Sequence, residues 1–319
     1  MDLRQLKYFI QIAESGNFSR AAEVLRIAQP SLSQQIKNLE EELSVELFVR
    51  HARGVILTQL GQQLYDHARR ILQEVDRAKD ALRSESNTPS GKVSVGLPTS
   101  ACRGLSMPLL NAMSKLQPNI SLHIVEAMSG YLDDFIQIGR LDVALLYDHR
   151  AFEHVAWTEM MIEDLMLFVP PGHSLAQSGS IPFKEVFYHP IVMPGAPNVL
   201  RTVVEQYAAR HDVVPSAIAC DSLPAIARMV RDRHALAIMP HFAFMDEMLR
   251  GEMTAIQIRD PTPSWRLSVV MSERTLNPRA SAAVARVLAD VIGNMVSSGD
   301  WRAKLRDDKA RPGLGRLVS

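Results

Sequence analysis

Residues 17–43, NFSRAAEVLRIAQPSLSQQIKNLEEEL, constrain this chain more than any other stretch, because they fit two short helices joined by a tight turn. Ser19 is the expected N-cap of the first helix, and Ala21, Ala22, Val24 and Leu25 form its narrow apolar stripe. Ile27-Ala28-Gln29 turns the chain, and Pro30 stands where a first helical residue needs no N–H. In the second helix Leu32, Ile36, Leu39 and Leu43 recur on one face. Gln34 and Lys37 point the opposite way, with Ser31 and Ser33 on the flanks. An apolar face that docks inward beneath a polar amino-terminal half is the layout of a helix-turn-helix, whose second helix enters the DNA major groove. An ordinary amphipathic helix pair shares part of this pattern.

The flanks favour DNA. Leu3, Leu6, Phe9, Ile10 and Ala13 predict an amphipathic first helix ending near Gly16. Leu47–Arg50 and Val55–Leu57 flank His51-Ala52-Arg53-Gly54 as a short hairpin. The candidate DNA-facing set is therefore Gln29, Pro30, Ser31, Ser33 and Gln34 at base edges or backbone, with Lys37, Arg50 and Arg53 on phosphates. For the hairpin tip, a solvated turn with incidental arginines is the alternative.

From Thr58 to about Ser86 the pattern is one long helix, with Leu57, Leu60, Leu64, Ile71, Val75, Ala78 and Leu82 at three- and four-residue steps. Such a seam suits a partner helix, and predicts dimerisation and paired DNA-binding heads. Ser84–Gly91 is a polar linker punctuated by Pro89 and Gly91. Beyond it strands and helices alternate. Strands at Val93–Leu97, Ser121–Glu126 and Asp142–Tyr147 with intervening helices make a βαβαβ half. The pattern restarts near Glu163, with strands at Leu165–Val169, Pro190–Met193, Ala217–Cys220 and Ala235–Met239. Trp265–Met271 is a further strand and Pro278–Val296 a final amphipathic helix. Two crossovers, near Met160–Asp164 and near Trp265, place a cleft between two α/β lobes. The polar tail 297–319 is expected to be flexible.

By these residues the amino-terminal ~90 positions resemble the winged helix-turn-helix and linker helix of the LysR-type transcriptional regulators. The carrying stretches are LRQLKYFIQIAESGNFSRAAEVLRIAQPSLSQQIKNLEEEL and LFVRHARGVILTQLGQQL, matched in unbroken order. AAEVLRIAQPSLSQQI, LDVALLYD and the terminal LVS are similar to the nitrogen assimilation control branch. The resemblance implies an α/β chain with an all-α winged helix-turn-helix head, a long linker helix, and a two-lobed effector domain like the periplasmic binding proteins. The resulting expectation is a head over 1–58, a linker helix and hinge over 59–90, and an effector domain over 91–296. Lobe I would span about 91–162 and 268–296, and lobe II about 163–267. The implied partners are promoter or operator DNA, further copies of the chain in a homodimer or homotetramer, a polar or anionic small-molecule inducer, and RNA polymerase. In some regulators resembling the nitrogen branch no inducer is needed.

Composition sets limits. The 319 residues are 47% hydrophobic with a formal net charge of +0, so DNA affinity must come from several subunits together, not from one strongly cationic domain. Charges in the head are balanced but segregated, with Glu40, Glu41, Glu42 and Glu46 gathered away from Lys37 and the hairpin arginines. No apolar run reaches membrane-spanning length and no signal peptide precedes the first helix, which predicts a cytoplasmic protein without membrane association. Two cysteines, Cys102 and Cys220, imply no disulfide framework and read as small apolar residues rather than a thiol switch. The ten histidines form no metal-ligand spacing, so no metal and no cofactor are expected.

In doubly wound lobes ligands sit at the carboxyl ends of strands, beside helix N-termini. The candidate effector residues are Thr99 and Ser100, Ser129 and Gly130, Tyr147, Asn198, and Asp221 and Ser222. Each serine serves equally well as an ordinary N-cap. Arg103 and Arg201 lie near enough in sequence to pair with an anion, or face water. Two other functions compete with gene regulation: a binding protein whose helical head serves assembly, and an enzyme using the cleft. No GxSxG, phosphate loop or dinucleotide fingerprint supports the enzyme, and no catalytic residue is assigned.

Overall fold

The computed structural model describes residues 1–51, 54–83, 88–148, 154–275 and 277–306, with the side chains of residues 50, 70, 73 and 76–83 outside that description. Contacts divide the chain into two units, Met1–Glu85 and Ser86–Ser319.

In the first unit, α1 (Leu3–Ser15) opens on a capping box: the Asp2 carboxylate accepts from the Gln5 amide at 2.7 Å and the Gln5 side chain accepts from the Asp2 amide at 2.9 Å. It stops at Gly16, left-handed at φ 62°. The cap of α2 (Phe18–Leu25) is Asn17, not the expected Ser19: its Oδ1 accepts from the amides of Ser19 and Arg20 at 2.8 and 3.2 Å. Asn17 lies just outside the helix, where an acceptor reaches the second and third amides, whereas Ser19 is already inside. α3 (Gln29–Leu43) starts one residue ahead of Pro30 on Ala28, which offers no side-chain cap.

Leu6, Phe9, Ile12, Leu32, Ile36 and Leu39 are all buried, and Phe9 packs on Phe48 with centroids 5.2 Å apart. Each such side chain contributes about 1.5–3 kcal/mol by leaving water. β1 (Phe48–His51) pairs antiparallel with β2 (Gly54–Leu57). Glu40, counted among the segregated acids, instead roots this hairpin by accepting from the Leu47 amide at 2.8 Å.

The long helix α4 (Gln59–Arg83) departs from the single-seam expectation. Leu57, Leu64, Ala68 and Leu72 pack on the head's own core, with Ala68 fully buried. Leu60 and Ile71 remain 48% and 37% exposed. A three-helix head leaves an apolar flank on α1, and the first turns of α4 cover it. The side chains of Ala78 and Leu82 and residues 84–87 of the linker lie outside the described residues.

The second unit begins with β3 (Gly91–Pro98), α5 (Thr99–Leu116), β4 (Ile120–Ala127), α6 (Ser129–Gln137) and β5 (Val143–Tyr147), whose strands pair in parallel around β3. β5 is buried along its whole length, as a continuous apolar strand covered on both faces must be. β6 (Val155–Asp164) leads to β7 (Met166–Val169), α7 (Ser174–Ser178), β8 (Ser180–Pro182), α8 (Phe183–Val186) and β9 (Ile191–Met193). Then come α9 (Val199–Arg210), β10 (Ala217–Ala219), α10 (Leu223–Arg231), β11 (Leu236–Met239), a 3-10 turn at His241–Phe244, α11 (Met245–Leu249) and β12 (Thr254–Arg259). β13 (Ser264–Ser272), α12 (Pro278–Ser298) and β14 (Ala303–Leu305) complete the described elements.

Two six-stranded sheets result, ordered β14-β6-β13-β5-β3-β4 and β10-β9-β11-β7-β12-β8. Both β6 and β13 belong wholly to the first sheet, so the crossovers fall at Leu165 and Pro263, where the Leu165 amide donates to the Pro263 carbonyl at 2.8 Å. That shifts the expected lobe limits of 162/163 and 267/268 by a few residues. β6 escapes sequence reading because Thr158, Glu159 and Glu163 are buried in it beside its apolar residues, which erases alternation.

The expected flexible tail is also corrected over residues 297–306. Trp301 is 1% exposed with its ring 4.7 Å from Phe242, β14 pairs with β6, and Arg306 bonds to Glu159. A lone Trp and one short strand among polar residues carry little periodic signal. Residues 307–319, with Lys309, Arg311 and Arg316, lie outside the described residues. α12 is long and apolar enough by composition to cross a membrane, contrary to the sequence expectation, but half of it is buried. Its inward Val284, Leu288 and Ile292 pack in the core, which makes it a core helix.

Candidate functional site

The head presents a polar surface along α3. Gln29, Pro30, Ser31, Gln34 and Lys37 are exposed and Ser33 is half-buried, while the opposite face is in the core. Gln29 donates to Ser33 Oγ at 2.9 Å, Gln34 to Asn38 Oδ1 at 2.8 Å, and Lys37 lies 3.5 Å from Glu41. These i,i+4 links limit the rotamers of the polar face without removing its donors and acceptors. The uncapped first turn of α3 leaves amide N–H groups free for a phosphate. Asn38 shares this face and was not singled out from sequence. Its signal was available, one turn beyond Gln34. The side chain of Arg50, and all of Arg53, lie outside the described residues.

In the second unit a cleft opens between the lobes. Six predicted effector residues line it: Thr99, Ser100, Ser129 and Tyr147 from the first lobe, Asn198 and Asp221 from the second. Gly130 and Ser222 do not. Gly130 is exposed with open space where a Cβ would stand, and Ser222 Oγ is used as the cap of α10, accepting from the Ala225 amide at 3.4 Å. Sequence reading missed the apolar lining, including Leu200, Leu223, Ile226, Met239 and Trp265, since such residues look like any core residue.

Ser100 Oγ lies 3.1 Å from Tyr147 Oη, and the Tyr147 ring stacks on Trp265 at 3.8 Å. Burial pushes the Tyr147 phenol well above its usual range, with the Glu163 charge adding to that, so it remains a neutral hydrogen-bonding floor. Asn198 caps α9 by accepting from the Leu200 amide at 2.9 Å, and its Nδ2 reaches Met128 Sδ at 3.8 Å across the cleft. Asp221 Oδ1 accepts from the Gly195 amide at 2.9 Å.

The two arginines considered as anion partners have other duties. Arg103 bonds to Asp246 at 2.8 Å, Glu247 at 3.0 Å and the Ala243 carbonyl at 2.8 Å, pinning α5 to the opposite lobe. Beside it the Phe242 ring lies over Gly104, where an added Cβ would stand 2.5 Å away. Arg201 donates to the Pro194 carbonyl at 2.8 Å and Glu205 at 3.4 Å. Burial, then the Glu126 charge, push the Cys102 thiol up, away from the thiolate a redox switch needs. Among the described residues no group of metal-ligating side chains occurs.

Behind the cleft sits a buried carboxyl that sequence reading overlooked. Glu163, 1% exposed at the end of β6, accepts from Trp265 Nε1 at 2.9 Å, Trp301 Nε1 at 2.8 Å and the His241 amide at 3.3 Å. It joins both crossovers to the carboxyl-terminal segment. Burial raises it from 4.5 to about 7 despite these three donors.

The description "LysR substrate binding domain" matches residues 86–292, and "Bacterial regulatory helix-turn-helix protein, lysR family" matches residues 3–62. The chain is 31% identical over 295 residues to the "Nitrogen assimilation regulatory protein nac" of Klebsiella aerogenes, covering 92% of this chain and 95% of that one. The protein of the same name in Escherichia coli (strain K12) is 29% identical over 307 residues, covering 95% and 99%. Both fit the branch that the sequence resembles. The structure of full-length CbnR complexed with its target DNA superposes with a TM-score of 0.70 at 20% identity, covering 92% of this chain and 99% of that one. That likeness shows the fold. The polar α3 face, the two-lobed cleft and these matches agree: the chain belongs to the LysR family of bacterial DNA-binding transcriptional regulators.

Proposed function

We propose that this chain regulates transcription from specific operators, with α3 in the major groove and the interlobe cleft as its inducer site. The observation that carries the first half is the division of α3: Leu32, Ile36 and Leu39 fully buried, and Gln29, Pro30, Ser31, Gln34 and Lys37 exposed, with Ser33 at the margin. In this reading Gln34, Gln29, Ser31 and Ser33 read base edges or backbone, and Lys37, Arg50 and Arg53 hold phosphates. A homodimer or homotetramer, joined in part through the exposed Leu60–Ile71 side of α4, presents several heads to DNA. The exposed apolar side chains on a helix already anchored by its other flank support that assembly.

For the cleft, the support is its unused hydrogen-bonding capacity. Neither α5 nor α6 has a side-chain cap, and Thr99 and Ser129 at their first positions face the open space. A bound polar group there satisfies orphan amides and hydroxyls together. Lobe closure on it would bias the arrangement of heads, and through it contact with RNA polymerase as activator, repressor or both. The protein acts in the cytoplasm as a regulator and catalyses no reaction.

Salt-titrated binding to matched and mismatched operators tests the DNA half. Gln34→Ala is expected to reduce discrimination between the two sites, whereas Lys37→Ala or Arg53→Ala weakens both alike and flattens the salt dependence. Equal loss on both sites for Gln34→Ala would remove its reading role.

A further inference from the structure

The cleft's charge pattern narrows its ligand, given the inducer-site reading above. Two helix N-termini converge on it from the first lobe: α5 after Pro98 and α6 after Met128, neither with a side-chain cap. Ser129 is only 9% exposed, lines the cleft, and has no hydrogen-bond partner among the described residues. A hydroxyl of a mostly buried residue, open to the cleft beside free amide N–H groups, is a place suited to an oxygen anion. In the second lobe α9 and α10 are closed by Asn198 and Ser222, so the positive pole belongs to the first lobe.

The opposite wall carries the reverse sign. Among the described residues Asp221 is the single charged residue lining the cleft; no Lys, Arg or His does. One of its oxygens takes the Gly195 amide at 2.9 Å, and it has no ion-pair partner among the described residues. Arg201, which follows the cleft residue Leu200, is tied to Pro194 and Glu205, and its remaining Nη2 is buried away from solvent. A simple anion would therefore meet an uncompensated carboxylate, and a simple cation would meet two helix N-termini.

We infer that the cleft binds a zwitterionic α-amino acid with an apolar side chain, its carboxylate at the α5 and α6 N-termini with Ser129 and Thr99, and its ammonium on Asp221. Met128 Sδ and Asn198 Nδ2 lie 3.8 Å apart, so the two lobes approach each other closely among the residues lining the cleft, which favours a small ligand. Leu200, Leu223, Ile226 and Met239 offer the side chain an apolar seat. This narrows the expected polar or anionic inducer to one bearing both signs.

The test uses the full-length protein, with calorimetric titration and thermal unfolding against the proteinogenic L-amino acids. L-leucine and L-methionine are the lead probes, with 4-methylpentanoate (no ammonium) and L-leucine methyl ester (no carboxylate) as counter-probes. The expected result is saturable binding of an apolar amino acid, with both counter-probes at least about tenfold weaker. Asp221→Asn keeps an acceptor for the Gly195 amide, so the unliganded melting temperature should hold while L-amino-acid affinity falls about tenfold to the 4-methylpentanoate level. Equal binding of 4-methylpentanoate and L-leucine would overturn the zwitterion assignment and leave the inducer site standing. So would saturable binding of carboxylic acids alone. If no amino acid or carboxylic acid binds, and Ile226→Trp, which fills the cleft, leaves operator affinity and operator response unchanged, both the assignment and the inducer-site reading fail. The probe comparison decides the matter even if the Asp221 variant does not fold.

Discussion

Replacing Glu163 by Gln should convert a pH-dependent stability into a pH-independent one at that site. The carboxyl is fully buried and raised by that burial from 4.5 to about 7, so the folded state resists its ionisation while the unfolded chain does not. The sign follows from linkage: the stabilising contribution is fully present below pH 4.5 and is lost as pH rises through about 7. At 1.36 kcal/mol per pH decade of differential protonation, the loss between pH 5 and pH 8 is on the order of 2–3 kcal/mol. The substituted glutamine would keep the shape but offer only one acceptor oxygen. Its amide N–H₂ must then face an indole N–H, either that of Trp265 or that of Trp301, which now donate at 2.9 and 2.8 Å. Leaving that buried donor unsatisfied costs about 1–3 kcal/mol at every pH. Urea unfolding of both proteins at pH 5, 6, 7 and 8, read as the difference between them, cancels other titrating groups. Among these is His241, lowered by burial and by Arg302, which destabilises in the acid direction instead. The variant should be clearly weaker at pH 5 and match or exceed the parent at pH 8. A difference that stays constant across the series would refute the assignment of the titration to Glu163.

Gly104→Ala places a methyl 2.5 Å from the Phe242 ring, itself backed by Trp301, so unfolding should show a loss of about 1–3 kcal/mol, with no loss pointing to a ring free to move. On α4 the two faces should separate: Ala68→Glu unfolds the head, seen by circular dichroism, whereas Leu60→Asp leaves it folded and lowers the oligomer mass in light scattering. Cys102, half-buried and raised, should alkylate with iodoacetamide at pH 7.5 clearly more slowly than free cysteine, followed by mass spectrometry; rapid modification would reopen a thiol role.

The head and the alternating strands and helices were legible in the chain because their signal is local. The 3.6-residue recurrence of Leu32, Ile36 and Leu39 against Gln34 and Lys37 is set by which side of a helix meets water, and the run at 143–147 is set by cover on both faces. Polar residues after strand ends located six cleft positions for the same reason, since the topology places those loops together. What the chain order could not decide is where each side chain spends its one contact. Ser222 and Ser129 both stand at helix starts, yet Ser222 lies just outside α10 and caps it, whereas Ser129 is already the first residue of α6 and faces open space. Leu60 and Leu64 sit one turn apart on α4 and part company because α1 covers only one of them. Glu163 reads as a surface acid until Trp265 and Trp301, 102 and 138 residues further along, bring their indole N–H groups to it. Periodicity records burial along one element, whereas partner choice depends on contacts between elements far apart in sequence, and those exist only once the lobes have closed around their core.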